Sequence, residues 1–150
     1  MSNATSKPRV GVVVVTHEGA ADALVGAARA LLGNLAGVAA VPCAMADDFS
    51  ALVDKVSRGC QLVDEGAGVL MLVDLHGSSP FHASMSLLDG TRAAEILCGV
   101  NLPMLIKVAT LDRTQQTPTQ IAEALRDCGR RSIRLGSELT GRVSINERLP

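Results

Sequence analysis

The sequence is poor in aromatic residues, with no tryptophan, no tyrosine and only two phenylalanines in 150 residues. Although 47% of the residues are hydrophobic, a folded core must therefore be built mainly from Val, Leu, Ile, Ala and Met. The aromatic surfaces on which single-stranded nucleic acids stack are nearly absent. The net charge is only −1, so the chain carries no basic footprint for a polyanion. We therefore expect no nucleic-acid partner.

The sequence also lacks the features of a secreted or membrane protein. No apolar run approaches the roughly 20 residues of a transmembrane helix, and no charged and apolar leader marks a signal peptide. The four cysteines, at positions 43, 60, 98 and 128, form no Cys-x-x-Cys pair, so they indicate neither a zinc knuckle nor a thioredoxin motif. Isolated cysteines of this kind usually serve as small core residues in proteins of a reducing compartment. We expect a cytoplasmic protein without membrane insertion.

Two nucleotide-binding signatures are missing as well, the Gly-x-x-x-x-Gly-Lys phosphate loop and the Gly-x-Gly-x-x-Gly fingerprint. Their absence argues against a nucleotide-driven kinase and a nicotinamide-dependent enzyme. A length of 150 residues suits one domain. Residues 1–7 are polar and are predicted to be a disordered leader or an expression scar, and residues 8–150 are predicted to be a single domain.

Strand-like and helix-like segments alternate along the chain. Residues 9–16 contain four consecutive valines, a β-branched run that is apolar on both faces and typical of a central parallel strand. Residues 20–32 follow with apolar residues at helical spacing. Further strands are predicted at 38–43, 68–74 and 95–100, and further helices at 49–65, from 80, and at 117–133.

Two segments are less clear, since 104–111 fits a helix or an extended segment and 142–146 alternates weakly, as an edge or exchanged strand would. The short intervals between strands and helices predict an α/β fold, doubly wound, with right-handed crossovers. We expect a mainly parallel central sheet with helices on both faces and strand order 2-1-3-4.

Polar residues follow two strands that this order makes neighbours. Thr16 and His17 end the valine strand, and Asp74 ends the third strand. Ligands of open α/β sheets bind beyond the carboxyl ends of the strands, so we expect these residues to meet there. Asp74 would accept a hydrogen bond from one ring nitrogen of His17, which fixes the tautomer and leaves the other nitrogen as a nucleophile.

The segment after Asp74 suits an anion. Ser79, directly before Pro80, is predicted to be the N-cap of a short helix, whose free N–H groups would face phosphate oxygens together with the hydroxyls of Ser78 and Ser79 and the flexible Gly77. Thr16 is a further candidate for binding the phosphoryl group. Gly19, just beyond His17, would let a partner's active residue approach closely.

Structural explanations compete with these roles. A histidine at a strand end is often only a hydrogen-bonding group, and Glu18 is of a type favoured near a helix N-terminus. His76 and His82 are predicted to lie on a loop and a helix surface, because no His-x-x-x-His pair or acidic cluster supports a metal site. We therefore expect no metal and no cofactor.

Taken together, these residues resemble the mannose-family enzyme IIA domains of the bacterial phosphoenolpyruvate-dependent sugar phosphotransferase system. The resemblance extends from about residue 9 to 130. It is carried by three segments, which are Thr-His-Glu-Gly at 16–19, Leu-Val-Asp at 72–74 with Gly-Ser-Ser-Pro-Phe at 77–81, and Gly-Val-Asn-Leu-Pro-Met-Leu at 99–105.

This resemblance implies that His17 is the phosphorylated residue, that Asp74 orients it and that Ser79 helps to hold the phosphoryl group. The donor would be the histidine phosphocarrier protein and the acceptor a IIB component, with no cofactor. It also implies a homodimer in which a C-terminal strand is a candidate for exchange between subunits.

The resemblance does not define whether the phosphoryl group on His17 passes on to sugar uptake or to a regulatory target. The position of His76 commonly holds another residue in sugar-transporting members, and Ser78 replaces a frequent glycine, so the sugar and the IIB partner are not defined. Since the chain ends near residue 150 without a IIB domain, we expect a separate acceptor, either a IIB component or a regulatory target. Two alternatives remain: the phosphoryl-donor subunit of a dihydroxyacetone kinase, and a non-enzymatic anion-binding α/β module.

Overall fold

The computed structural model of the protein describes residues 6–140 and contains one parallel sheet flanked by helices. The strands are β1 (Gly11–His17), β2 (Val38–Cys43), β3 (Val69–Val73) and β4 (Ala94–Cys98). The helices are α1 (Ala20–Leu32), α2 (Phe49–Val63), α3 (Ser79–Met85), α4 (Leu102–Val108), α5 (Pro118–Arg131) and α6 (Gly136–Thr140).

The sheet has the order β2-β1-β3-β4, and every pairing is parallel. This confirms the predicted α/β fold and the strand order 2-1-3-4. The chain adds β2 on one side of β1 and then returns to add β3 on the other side. Strands β1 and β3 are therefore neighbours, although α1, β2 and α2 separate them in the chain. Their register pairs Val15 with Val73, which places the residues that follow both strands at the same edge.

Both faces of the sheet are covered, which explains why the valine strand is apolar on both sides. Val12 and Val14 of β1 belong to a core shared with α1, α4 and α5, and Val13 and Val15 belong to a second core shared with α2 and α3. Side chains alternate between the faces of a strand. Burial on both faces therefore requires an unbroken apolar run.

Small side chains let the helices approach the sheet closely, as expected for a core without large aromatic residues. A β-carbon added to Gly59 of α2 would lie 2.5 Å from Cγ2 of Val41 in β2. Such a contact is far shorter than van der Waals distance, so only glycine fits at this crossing.

Hydrogen-bonded caps define where the helices begin. Asp48 accepts from Ala51 N at 2.8 Å and starts α2, and Thr117 forms a capping box with Gln120 at the start of α5. The unclear segment 104–111 is mostly helical, because Asn101 caps α4. Ser79 was expected to cap α3, but the N-cap is Ser78, and Ser79 is already the first helical residue.

Several boundaries differ slightly from the predicted ones. Helix α2 ends at Val63 instead of residue 65, and α5 ends at Arg131 instead of residue 133. The candidate strand at 142–146 and most of the predicted leader at 1–7 lie outside the described residues. Within residues 6–140, none of the helices combines the length and the apolar character needed to cross a membrane.

Candidate functional site

Two loops meet at the carboxyl edge of the sheet, one after β1 and one after β3. His17 is the last residue of β1, and Asp74 directly follows β3. Asp74 N–H donates to the carbonyl of Val15 at 3.4 Å, which continues the β1–β3 ladder beyond the strands. The topological switch point of the sheet thus brings together two residues that are 57 positions apart.

The side chains of His17 and Asp74 are in direct contact, as expected from the sequence. Nδ1 of His17 lies 2.9 Å from Oδ2 of Asp74, and the same Oδ2 accepts the main-chain N–H of His17 at 2.8 Å. A carboxylate oxygen can only accept, so Nδ1 carries the ring proton in this pair and Nε2 keeps its lone pair. The imidazole is 35% exposed. Its outer nitrogen is therefore oriented by a fixed acceptor and remains within reach of solvent.

The second oxygen of Asp74 behaves differently. Oδ1 is buried and has no hydrogen-bond partner within residues 6–140. All hydrogen bonds to the carboxylate that the described residues make go to Oδ2, and both come from His17. Among residues 6–140, His17 is thus the sole hydrogen-bond partner of the Asp74 carboxylate.

The start of α3 lies beside this pair. The hydroxyl of Ser78 donates to the carbonyl of Leu75 at 2.7 Å and accepts from Phe81 N at 3.4 Å, so it is committed to the cap. No hydrogen bond in the described part of the chain uses the hydroxyl of Ser79. Of the two serines, only Ser79 is thus free to bind a ligand.

A small pocket joins His17 to the start of α3. Its volume is about 110 Å³, well below the roughly 300–1,000 Å³ of typical small-molecule sites. It suits a group of a few heavy atoms and is too small for a sugar or a nucleotide. The lining residues are His17, Cys43, Ala44, Met45, Asp47, Leu52, Ser79 and Pro80.

The remaining predicted residues lie around the pocket without lining it. Gly77 has φ 78°, a left-handed conformation that favours glycine, in the loop before α3. Gly19 precedes α1 at φ −81°, and a β-carbon there would meet nothing within 4 Å. Access beside Gly19 is therefore open, but its conformation does not require glycine.

Thr16 is not placed as predicted. Its side chain is fully buried, and its hydroxyl donates to the carbonyl of His17 at 3.3 Å. Neighbouring residues of a strand point to opposite faces, so the side chains of Thr16 and His17 diverge. Thr16 supports the end of β1 and does not reach the pocket.

The sequence did not reveal that the loop between β2 and α2 forms one wall of the pocket. Asp47 lies in this loop, where its carboxylate accepts Ala44 N–H at 2.8 Å and pairs with the ammonium of Lys55. The hydrogen bond from Lys55, followed by that from Ala44, lowers the pKa of Asp47. The predicted strand order could have indicated this wall, because β2 lies next to β1 and its carboxyl end must reach the same edge of the sheet.

Cys43 also lines the pocket, but its thiol is not activated. Burial raises its pKa to about 11, and the neighbouring carboxylates of Asp47 and Asp74 act in the same direction against Lys55. At neutral pH the sulfur is therefore protonated and a poor nucleophile.

His76 and His82 remain outside the pocket. Both are exposed, and their rings contact Phe81 with centroid distances of 4.8 and 5.3 Å. Over residues 6–140, no group of three or more His, Cys, Asp or Glu side chains is placed to hold a metal ion. Within the described part of the chain, His17 is the one of the three histidines that both pairs with a carboxylate and lines this pocket.

Fold and site together define a class, namely an α/β protein with a histidine–carboxylate pair at the carboxyl edge of a parallel sheet. Residues 11–125 match the family described as PTS system fructose IIA component. The chain therefore belongs to this family of phosphotransferase-system components, and the resemblance to mannose-family IIA domains is confirmed.

Curated relatives carry names from the same system. The chain is 33% identical over 98 residues to the PTS system mannose-specific EIIAB component of Escherichia coli K12, an alignment that covers 65% of this chain and 30% of that protein. It is 28% identical over 102 residues to the PTS system fructose-specific EIIA component of Bacillus subtilis 168, covering 68% and 70%. The alignment thus covers less than a third of the length of the E. coli relative.

Solved structures show the same fold. The mannose/sorbose-specific IIA subunit from Enterococcus faecalis superposes with a TM-score of 0.75 at 22% identity, covering 85% of this chain and 94% of that one. The EIIA component from Streptococcus agalactiae gives 0.76 at 20% identity, with coverages of 86% and 98%. At these identities the comparison concerns architecture alone.

Proposed function

We propose that the protein is a phosphocarrier in which His17 accepts a phosphoryl group from the histidine phosphocarrier protein and passes it to a IIB component or a regulatory target. The contact between His17 Nδ1 and Asp74 Oδ2 at 2.9 Å carries this proposal. It leaves Nε2 as an oriented nucleophile beside a pocket that fits a phosphoryl group. Family membership supports the same chemistry.

The phosphoryl transfer needs no cofactor, because one N–P bond forms while another breaks. The lone pair of Nε2 attacks the phosphorus of the donor's phosphohistidine, and the new N–P bond forms as the donor's N–P bond breaks. The His17 ring then becomes cationic while Nδ1 keeps its proton, and Asp74 stabilises that charge. The second transfer reverses these changes. Because nucleophile and leaving group are both imidazole nitrogens, neither a metal nor an added base is needed.

Ser79 is the side chain we assign to the transferred group. Ser79 lines the pocket that contains His17, and its hydroxyl can donate to a phosphoryl oxygen. Ser78 contributes indirectly, since its hydroxyl caps α3 and so positions Ser79. Gly77 allows the loop to turn, and Gly19 leaves space for the partner's histidine.

Partner proteins would meet an open, partly apolar surface. Met45 and Leu75 flank the histidine and are 80% and 59% exposed. Exposed apolar side chains beside a reactive group suit transient docking of another protein.

We further propose a cytoplasmic homodimer, for which light scattering should give a molar mass near twice 15.5 kDa.

The function is tested by reconstituting the relay with phosphoenolpyruvate, enzyme I and the histidine phosphocarrier protein. The wild-type chain should gain about 80 Da in an acid-labile form, and His17→Ala should gain nothing. An unchanged mass of the wild-type chain, while the donor is phosphorylated, would exclude the relay.

The same samples separate the alternatives. Transfer to a kinase-bound nucleotide would indicate a dihydroxyacetone kinase subunit. Phosphate binding that persists in His17→Ala, without any phosphoryl transfer by the wild type, would indicate a non-enzymatic anion-binding module.

A further inference from the structure

Glu18, the residue after His17, has an unusual main-chain conformation. Its φ is 47°, and no other residue except glycine has a positive φ within residues 6–140. The left-handed region is unfavourable for side chains with a β-carbon. Glycine follows at position 19, yet Gly19 has φ −81° and makes no use of its freedom. Something must hold Glu18 in this conformation.

Two hydrogen bonds supply that constraint, and both lead to the loop after β2. The main-chain N–H of Glu18 donates to the carbonyl of Cys43 at 2.8 Å. Its carboxylate oxygen Oε1 accepts the main-chain N–H of Met45, also at 2.8 Å. Glu18 therefore joins the carboxyl end of β1 to residues 43–45. Non-glycine residues persist in such conformations where their surroundings hold them, often next to functional groups.

The tethered loop forms one wall of the pocket. Ala44, Met45 and Asp47 line the pocket together with Ser79 at the start of α3. The Asp47 carboxylate holds Ala44 N–H and the Glu18 carboxylate holds Met45 N–H, so two consecutive amides of the wall are fixed by two acids. Asp47 is itself anchored by Lys55 of α2, whereas Glu18 is anchored by β1. The wall is thus fixed to both elements that flank it.

We propose that Glu18 is a positioning residue of the phosphoryl-transfer site, which sets the distance between the 43–45 wall and His17. The proposal rests on the function assigned to His17 above. Glu18 does not line the pocket, so it acts through Met45 and not on the transferred group. Its role is hydrogen-bond acceptance and does not need the negative charge.

Three substitutions separate these properties. Glu18→Gln keeps an oxygen that can accept from Met45 and removes the charge. Glu18→Gly removes the acceptor and relieves the main-chain strain, and Glu18→Ala removes the acceptor and keeps the strain. Asp22→Asn is the control, because Asp22 is an exposed acid in the first turn of α1, so the change removes one charge near the site without touching the wall.

The first measurement is hydrogen exchange of the Met45 amide, which does not depend on phosphoryl transfer. In Glu18→Gly and Glu18→Ala this amide should exchange about tenfold faster than in the wild type, and in Glu18→Gln and Asp22→Asn within about threefold of it. Glu18→Ala should have the lowest melting temperature, because it alone combines strain with a lost acceptor.

The second measurement is the rate at which the phosphorylated donor transfers to His17 at saturating donor. Glu18→Gly and Glu18→Ala should be slowed about tenfold or more, while Glu18→Gln should transfer at or near the wild-type rate. Equal rates for Glu18→Gly and Glu18→Gln would overturn the proposal, as would unchanged Met45 exchange. If even the wild-type protein accepts no phosphoryl group, the assigned function fails, and the exchange data still report whether the tether exists.

Discussion

Oδ2 of Asp74 accepts two hydrogen bonds from one residue, the main-chain N–H of His17 at 2.8 Å and its ring nitrogen Nδ1 at 2.9 Å. One atom therefore fixes both the end of β1 and the direction of the imidazole. This double role makes the carboxylate the main orienting group of the proposed phosphoryl-transfer site.

Replacing Asp74 by Asn should preserve the size of the side chain and remove its charge. The amide can still accept from the main chain, but it no longer stabilises a cationic ring, so phosphorylation of His17 should slow about 100-fold or more. Rapid-quench sampling with intact-mass detection measures the rate. A circular-dichroism melt controls for folding, and a folded variant with the wild-type rate would contradict the orienting role.

The two adjacent serines should have separable effects. Ser79→Ala should slow phosphorylation about fivefold to tenfold through loss of one hydrogen bond to the phosphoryl group, with little change in stability. Ser78→Ala should instead reduce the free energy of unfolding by about 1 kcal/mol, since it removes the cap of α3. Urea unfolding and the transfer assay on both variants compare these outcomes. A reversed pattern would assign the phosphoryl contact to Ser78.

Stability should fall at alkaline pH because of two buried thiols. Burial raises the pKa of Cys43 and of Cys60 from 9.0 to about 11. Well below pH 9 both thiols are neutral in the folded and unfolded states, so their contribution is fully present. Between pH 9 and pH 11 the unfolded chain releases protons first, and the free energy of unfolding should drop by about 2–3 kcal/mol per thiol at most.

Urea unfolding at pH 8, 9, 10 and 11 tests this dependence. The double variant Cys43→Ala, Cys60→Ala should start from a lower stability, because small cavities remain, yet show a flatter decline. Parallel curves for the variant and the wild type would mean that other groups cause the loss.

Two glycines in helices should respond to alanine in opposite ways. Gly59→Ala should lower the free energy of unfolding by about 1–3 kcal/mol, because its β-carbon would collide with Val41. Gly26 of α1 is exposed, and a β-carbon there meets nothing within 4 Å. Gly26→Ala should therefore raise stability by up to about 1 kcal/mol. Thermal and urea melts of both variants provide the comparison, and destabilisation by Gly26→Ala would contradict this account of α1.

The sequence predicted those parts of the fold that depend on local patterns. The valine run identified β1 as a strand buried on both faces, and the helix predicted from residue 117 is α5, which begins after its N-cap Thr117. Asn101 caps α4 in the same way, but the segment after it was left undecided because its apolar residues fit both periods. The predicted strand order 2-1-3-4 made β1 and β3 neighbours, and from this we expected the contact between His17 and Asp74.

Other features depend on contacts that no local pattern encodes. Ser79 was predicted to be the N-cap because it directly precedes Pro80, but the N–H of Phe81 donates to the hydroxyl of Ser78, which is the N-cap. The opposite orientation of Thr16 could have been predicted from strand alternation alone. The pocket wall could not, because the bond between Glu18 and Met45 spans 27 positions and joins an exposed side chain to a main-chain amide.

The hydrogen bond from the His17 main chain to Asp74 adds a final rung to the ladder between two inner strands, made by a side chain where the backbone pairing ends. The ring is thus attached to an inner strand of the sheet and not to a loop. Local opening events that expose loops leave such inner strands paired. The histidine should keep one fixed aim, so that incoming and outgoing proteins must both adapt to it, and each must present its own nitrogen along the same line of approach.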